Sequence, residues 1–225
     1  MLRRSLRDNG LTLFFLALLA GALVGQAISG RAEYNNQQIA QGGHTVGMLG
    51  YLTGSDFAVD VAENWQSEFL QFFLYILVTV WLIQRGSPES KEPGKQGAES
   101  DADQQVGEHA GPDAPRWAHL GGLRGLVFSR SLGLTMGTIF LLSWLVQSIA
   151  GRAAYNAQQL AQREDAVSWT GYVTSADFWN RSMQNWQSEF LAVAAMAVLS
   201  VYLRQRGSPE SKPVGAPHQA TGVEG

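Results

Sequence analysis

Two glutamates at the edges of apolar segments are the residues of this 225-residue sequence best placed to do chemistry. Glu68 and Glu189 each stand at the start of a long apolar run. A carboxylate at the edge of a membrane is costly unless it is paired. Arg31 and Arg152 follow the preceding apolar runs, so the sequence predicts the structural ion pairs Arg31–Glu68 and Arg152–Glu189. The alternative is a proton or cation site at the two glutamates.

The composition excludes several other kinds of site. The chain has no cysteine, so it holds no thiolate metal site and no cysteine nucleophile. Its four histidines are scattered, and no Ser–His–acid set or phosphate-binding glycine loop stands in a recognisable context. We therefore predict no enzyme activity, no catalytic residue, no cofactor and no metal. A formal net charge of −3 also argues against a nucleic-acid partner.

Four apolar runs must position these glutamates. They cover Leu11–Ser29, Phe69–Ile83, Leu132–Ala150 and Phe190–Leu203. A helix needs about 20 residues to span hydrocarbon, with about 17 tolerated. The second and fourth runs reach that length only if their helices begin earlier, near Trp65 and Trp186. Buried helices of a soluble protein are the alternative, but four such runs exceed what a small soluble core needs.

The chain is a tandem repeat with an offset of 121 residues. The motifs GRxxYNxQQxAQ, NWQSEFL and QRGSPESK occur in both halves without a gap. Their polar positions are Tyr34, Asn35, Gln37, Gln38, Asn64 and Trp65, with the equivalents Tyr155, Asn156, Gln158, Gln159, Asn185 and Trp186. The apolar runs differ more between the halves, so the polar loop positions are the more constrained. Because the third run is internal, we expect its equivalent, the first run, to be retained and not cleaved as a signal peptide.

Each half predicts a transmembrane hairpin with a long outside loop. Two spans per half insert both halves the same way up, as a parallel repeat and not the inverted repeat of many transporters. Twelve Lys and Arg residues lie on one side of the predicted spans and four on the other. The positive-inside rule then places both termini and the central segment in the cytoplasm.

The outside loops carry their own helix signals. The first helix of each half is expected to continue past the bilayer, until Gly42–Gly43 in the first half and Arg163–Asp165 in the second. Thr53 and Thr174, each followed three residues later by an aspartate, then predict the start of the returning helix. We expect the threonine to be the N-cap and the acid to lie in the first turn.

The predicted domains follow the repeat. They are the first transmembrane hairpin at 1–87, a disordered cytoplasmic linker at 88–115, a juxtamembrane segment at 116–131, the second hairpin at 132–208 and a disordered cytoplasmic tail at 209–225. The linker and tail are rich in Gly, Pro, Ser and acidic residues, and hold too little apolar surface to offset chain entropy. The juxtamembrane segment mixes arginine with Trp and Leu, so we expect it to lie along the inner leaflet.

The repeated motifs resemble an uncharacterised bacterial membrane-protein family, known only as a domain of unknown function. The resemblance covers nearly the whole chain outside the linker and tail. It implies a bacterial source and an integral-membrane location. It implies no activity, substrate or catalytic residue, so no site is carried over from it.

The sequence therefore predicts an all-α, multi-pass protein of the bacterial inner membrane, with four transmembrane helices in two parallel hairpins. We expect a non-enzymatic structural or interaction protein that presents polar extracytoplasmic loops. Its expected partners are the lipid bilayer and either a second molecule of the same chain or another membrane or envelope protein. The alternative function is a small channel or transporter with a path between the two repeats.

Overall fold

A computed structural model describes residues 8–224, which form seven α-helices and two short 3-10 helices without any strand. The α-helices are α1 (Gly10–Ala40), α2 (Met48–Leu52), α3 (Ser55–Val78), α4 (Gly122–Ser129), α5 (Ser131–Ala161), α6 (Trp169–Val173) and α7 (Ala176–Tyr202). The 3-10 helices are Gly107–His109 and Arg116–His119. Residues 1–7, with three arginines used in the orientation argument, and residue 225 lie outside the described part. The all-α prediction is confirmed for residues 8–224.

The two longest helices, α1 and α5, hold the first and third apolar runs. Each has 31 residues and is long and apolar enough to cross a membrane. At 1.5 Å per residue each is about 46 Å long, well beyond the roughly 30 Å of a hydrocarbon core. Both helices therefore have length to spare for a polar extension, as the GRxxYNxQQxAQ motif predicts.

The ends of α1 and α5 fall where the sequence places the breaks. Gly42 has a φ of 76° and Arg163 a φ of 65°, so both adopt the left-handed conformation that ends a helix. The amide of Gly43 donates to the carbonyl of Gln38 at 2.7 Å. In the second half, the amide of Glu164 donates to the carbonyl of Gln159 at 2.8 Å. This is the Schellman pattern of bonds. Glycine adopts it without strain, whereas Arg163 bears a cost of about 1 kcal/mol.

The second helix of each half is less apolar than predicted. Helices α3 and α7 begin ten residues before Trp65 and Trp186, so the expected early start is confirmed. Helix α3 ends at Val78, before the apolar run ends at Ile83. Within residues 8–224, two helices and not four meet the length and hydropathy expected of a membrane span. Charged and uncharged polar residues in the first halves of α3 and α7, including those of the NWQSEFL motif, explain the difference.

The predicted threonine N-caps are wrong. The Thr53 hydroxyl donates to the carbonyl of Leu49 at 2.9 Å, and the Thr174 hydroxyl to that of Thr170 at 2.8 Å. Each threonine therefore ends the short helix before it, because its hydroxyl bonds back to the preceding turn. The aspartate three residues later does lie in the first turn of α3 or α7, as predicted.

The chain divides into two compact units. One, here called the loop unit, comprises residues up to 62 together with 146–175. The other, here called the helix-pair unit, comprises 63–145 together with 176 onwards. The loop unit holds both outside loops, and the helix-pair unit holds α7 and most of α3.

Turns alternate with irregular chain in the linker and tail. Residues 88–115 contain turns and the first 3-10 helix, and residues 209–224 contain turns alone. Pro88 and Lys212, near the start of these segments, are buried. In the juxtamembrane segment, Trp117 and Phe128 lie with ring centroids 6.3 Å apart, the latter in α4. Disorder of the linker and tail, the domain boundaries and the position of 116–131 on a membrane stay predictions.

Candidate functional site

An asparagine clasp shapes the loop that links α1 to α3 and the equivalent loop that links α5 to α7. The Asn35 side chain accepts from the Val46 amide at 2.8 Å and donates to the Val46 carbonyl at 3.1 Å. In the second half, Asn156 makes the same two bonds with Val167, at 2.8 and 3.0 Å. One side-chain amide thus satisfies both backbone groups of a residue eleven positions away. The repeated asparagine of the sequence motif is therefore a loop-fixing residue.

A glycine–tyrosine contact holds the same loop from the other side. The Tyr51 hydroxyl lies so close to Gly30 that a Cβ there would overlap it, and Tyr172 lies in the same way on Gly151. The two tyrosines are only 4% and 1% exposed. The glycine that opens each GRxxYN motif is needed because a tyrosine from the returning segment fills the place of its side chain.

The buried tyrosine also contacts the motif tyrosine. The rings of Tyr34 and Tyr51 are 5.9 Å apart, and the equivalent rings of the second half are 5.5 Å apart. Burial, followed by the negative charges of Asp60 and Asp56, raises the pKa of Tyr51. Its hydroxyl therefore stays protonated at physiological pH.

These contacts leave a small amide-rich surface exposed in each half. Gln37 and Gln158 are exposed, whereas Gln38 and Gln159, one residue on, are half-buried. One aliphatic side chain stands beside them, which is Ile39 in the first half and Leu160 in the second, each more than 60% exposed. The loop unit thus presents the same polar surface twice.

The NWQSEFL motif has the same local bonds in both halves but different surroundings. The motif serine donates to the carbonyl of Asn64 or Asn185 at 2.9 Å. Trp65 is 43% exposed. Its equivalent, Trp186, is half-buried and donates from Nε1 to Gln66 Oε1 at 2.8 Å. The motif tryptophan of the second half is therefore held against α3, whereas that of the first half is partly exposed.

Helices α3 and α7 run in the same direction within the helix-pair unit. Their contacts join Glu63 to Arg181 at 2.7 Å, Gln66 to Trp186 at 2.8 Å, and Ser67 to Glu189 at 3.3 Å. The residue numbers rise together on both helices, and each pair is separated by close to the repeat offset. Positions that correspond in the two halves therefore face each other across α3 and α7.

Helix α5 approaches α3 in the opposite direction. A Cβ at Gly137 would lie 3.0 Å from the Phe73 ring, and one at Gly133 would lie 3.9 Å from Ile76. The higher-numbered residue of α3 thus meets the lower-numbered residue of α5. The two glycines let the helices approach closely, which is the role of small residues between helices in membranes.

A group of buried donors surrounds Trp144 of α5. Its ring lies 6.1 Å from Phe178 and 5.7 Å from Trp186, which flank Ser182 on α7. Trp144 Nε1, Ser182 Oγ and Gln66 Nε2 are buried without a hydrogen-bond partner among the described residues. A buried donor without an acceptor costs about 1–3 kcal/mol, so this cluster is suited to hold water.

The predicted ion pairs stay predictions. Arg31 and Arg152 belong to the loop unit, whereas Glu68 and Glu189 belong to the helix-pair unit. Within the latter, Glu68 is exposed and near enough to Glu189 for their charges to interact. The two glutamates of the NWQSEFL motif are therefore neighbours.

Sequence reasoning missed the ion pair between Glu63 and Arg181. Its Nε–Oε2 distance is 2.7 Å, and the Glu63 side chain is 15% exposed. The equivalent positions in the other half are Gln184 and Asp60, so the pair is not repeated. A comparison of the halves could therefore not have found it.

The QRGSPESK motif closes the end of α3 and α7 with the same turn. The Gln84 amide donates to Ser90 Oγ, and the Gln205 amide donates to Ser211 Oγ, both at 2.9 Å. Gly86 and Gly207 take φ values of 90° and 79° within these turns. The motif is thus a folded helix terminus in both halves.

The lysine of the same motif donates hydrogen bonds to backbone carbonyls. Lys91 donates to Gly97 O at 3.0 Å, and Lys212 donates to His218 O at 2.8 Å, each six residues on. Lys212 is 1% exposed and also donates to the carbonyls of Gly86, Pro217 and Ala220. Burial, followed by the charge of Arg204, lowers the pKa of Lys212.

Comparison with known proteins gives a family and no activity. No curated protein and no solved structure matches the chain. Within residues 8–224, no group of three or more His, Asp or Glu side chains is arranged to hold a metal ion. A family model described as a domain of unknown function, DUF6766, matches residues 2–223. The chain therefore belongs to the DUF6766 family.

Proposed function

We propose that the chain is a non-enzymatic membrane protein that displays its two clasped loops outside the membrane as an interaction surface. The observation that carries the proposal is the duplicated asparagine clasp, which fixes the same amide-rich surface in both halves. Amide side chains and one exposed aliphatic residue suit recognition of another membrane or envelope protein, or of a second molecule of this chain.

Four spans in two parallel hairpins are part of the same proposal. Helices α1 and α5 have the length and hydropathy of spans. Helices α3 and α7 run in the same direction, and positions that correspond in the two halves contact each other. This arrangement supports insertion of both halves in the same orientation. The inner-membrane location and the cytoplasmic placement of both termini rest on the distribution of Lys and Arg.

Photocrosslinking in native bacterial membranes tests the interaction surface. We expect a photoreactive phenylalanine at Gln37 or Gln158 to give an adduct of the same discrete mass, because the two loops present the same surface. Asn35→Ala in the same chain should abolish the adduct at Gln37, because it opens the loop of that half. The same photoreactive residue at Glu108 in the linker serves as the control. Absence of an adduct at both loops would contradict the proposed function.

A small channel or transporter is the second candidate. The unpartnered buried donors Trp144 Nε1, Ser182 Oγ and Gln66 Nε2 favour it, because they supply a polar interior among apolar helices. Proteoliposomes holding the purified chain would show proton- or cation-dependent flux, and Glu68→Gln would abolish it without loss of stability. A chain that catalyses no flux above empty liposomes would rule this candidate out.

A further inference from the structure

A cleft between α3 and α7 has the lining of a ligand site. Its volume is about 190 Å³, and its walls come from Gln71, Phe72, Tyr75, Glu89, Ala192, Val193 and Met196. Drug-sized pockets measure roughly 300–1,000 Å³. The cleft is therefore suited to a small molecule.

The two halves contribute equivalent positions but different chemistry. Gln71, Phe72 and Tyr75 on α3 are the repeat equivalents of Ala192, Val193 and Met196 on α7. The α3 wall is aromatic and polar, and the α7 wall is small and aliphatic. A ligand in the cleft would thus meet two aromatic rings on one side and an apolar surface on the other.

Carboxyl groups close one end of the cleft. The Tyr75 hydroxyl donates to Glu89, and Glu89 shares a hydrogen bond with its repeat equivalent, Glu210. The pKa of Glu210 is raised, chiefly by this hydrogen bond and by the negative charge of Glu89. Burial and the charge of Glu224 raise it further. The two acids therefore lie side by side at this end of the cleft.

Among residues 8–224, these two acids form no ion pair with a basic side chain. The ion pairs within residues 8–224 that involve the linker acids use Glu92, Glu99 and Glu108. No Lys, Arg or His nitrogen of the described residues forms an ion pair with Glu89 or Glu210. A half-buried negative charge beside an apolar cleft is thus left for a cation to neutralise.

We propose that this cleft binds a small organic cation, such as a quaternary ammonium with a short aromatic or aliphatic body. The Phe72 and Tyr75 rings attract a cation through their π faces, Glu89 supplies the opposite charge, and Ala192 and Val193 contact the apolar body. An anion is disfavoured because the charges at the cleft end are all negative. A metal ion is disfavoured because hard cations take about six or more oxygen ligands, and the oxygens of the cleft walls come from only three side chains, Gln71, Tyr75 and Glu89.

Equilibrium dialysis of the purified chain in a neutral maltoside detergent tests the proposal, with benzyltrimethylammonium as the probe. We expect saturable binding of this cation, because Glu89 supplies the opposite charge beside the cleft. Neopentylbenzene, the uncharged molecule of the same shape, should bind at least tenfold more weakly. Equal binding of the two probes, or no binding of the cation, would overturn the proposal.

Three variants locate the binding. Glu89→Gln removes the charge, and Ala192→Phe fills the cleft from the opposite helix without touching the acids. Each should weaken binding of benzyltrimethylammonium at least tenfold, while a circular dichroism spectrum equal to that of the unmodified chain shows that the helices are retained. Glu92→Gln, an exposed linker acid outside the cleft, is the matched control and should bind as before. Unchanged affinity in both cleft variants would also overturn the proposal.

Discussion

Loss of the asparagine clasp should release the outside loop. In the first half, Asn35→Ala removes two hydrogen bonds, of 2.8 and 3.1 Å, and leaves both backbone groups of Val46 without a protein partner. Each such bond contributes about 0.5–1.5 kcal/mol net, so the change costs about 1–3 kcal/mol. If the loop opens locally, the Val46 amide should exchange its hydrogen about 5- to 150-fold faster.

Hydrogen exchange followed by mass spectrometry, on the chain in lipid nanodiscs, measures this directly. Asn156→Ala should have the same effect on the Val167 amide, because the clasp is repeated. Asn35→Asp keeps the acceptor oxygen, so it should preserve more amide protection than Asn35→Ala. Asn36→Ala is the matched control, since the second half already has Ala157 at the equivalent position. Unchanged exchange in both alanine variants of the clasp would refute the reasoning.

Three further changes test other contacts. Gly30→Ala should lower the melting temperature in detergent because its Cβ would overlap the Tyr51 hydroxyl, whereas Gly21→Ala, with nothing near its Cβ, should not. Lys212→Met should speed proteolysis of the tail, because four carbonyls lose a buried ammonium, and Lys95→Met, an exposed control, should not. The raised pKa of Glu210 means that its protonated form stabilises the fold at low pH and that this stability is lost as pH rises through the folded-state pKa. Glu210→Gln should therefore flatten the decline in melting temperature that occurs as pH rises above the ordinary range of a glutamate.

The long helices were predictable from the length of the first and third apolar runs and from the residues that follow their polar extensions. Helices α1 and α5 contain the first and third runs, and they end one residue before Gln41 and Gln162, close to the breaks expected. These features depend on nearby residues alone. Spacing along the chain was therefore enough to find them.

Contacts between residues distant in the chain were harder to predict from the sequence. The clasp needs Asn35 to meet a backbone eleven residues away, and the path of that loop is not encoded in a local pattern. Thr53 was misassigned because its hydroxyl can bond either forward as an N-cap or back to the preceding turn, and the second bond forms. Lys212 was placed in a tail judged by its apolar content, yet its contacts are polar.

The central claim is that both halves insert the same way up. The natural chain has no cysteine, so single cysteines can be introduced without removing any. We would replace Gln37, Gln158 and Glu108 one at a time and label intact cells with a membrane-impermeant maleimide. The proposed topology predicts labelling at Gln37 and Gln158 from outside, and at Glu108 only after the membrane is permeabilised. Labelling of Gln37 and Gln158 from opposite sides would contradict it.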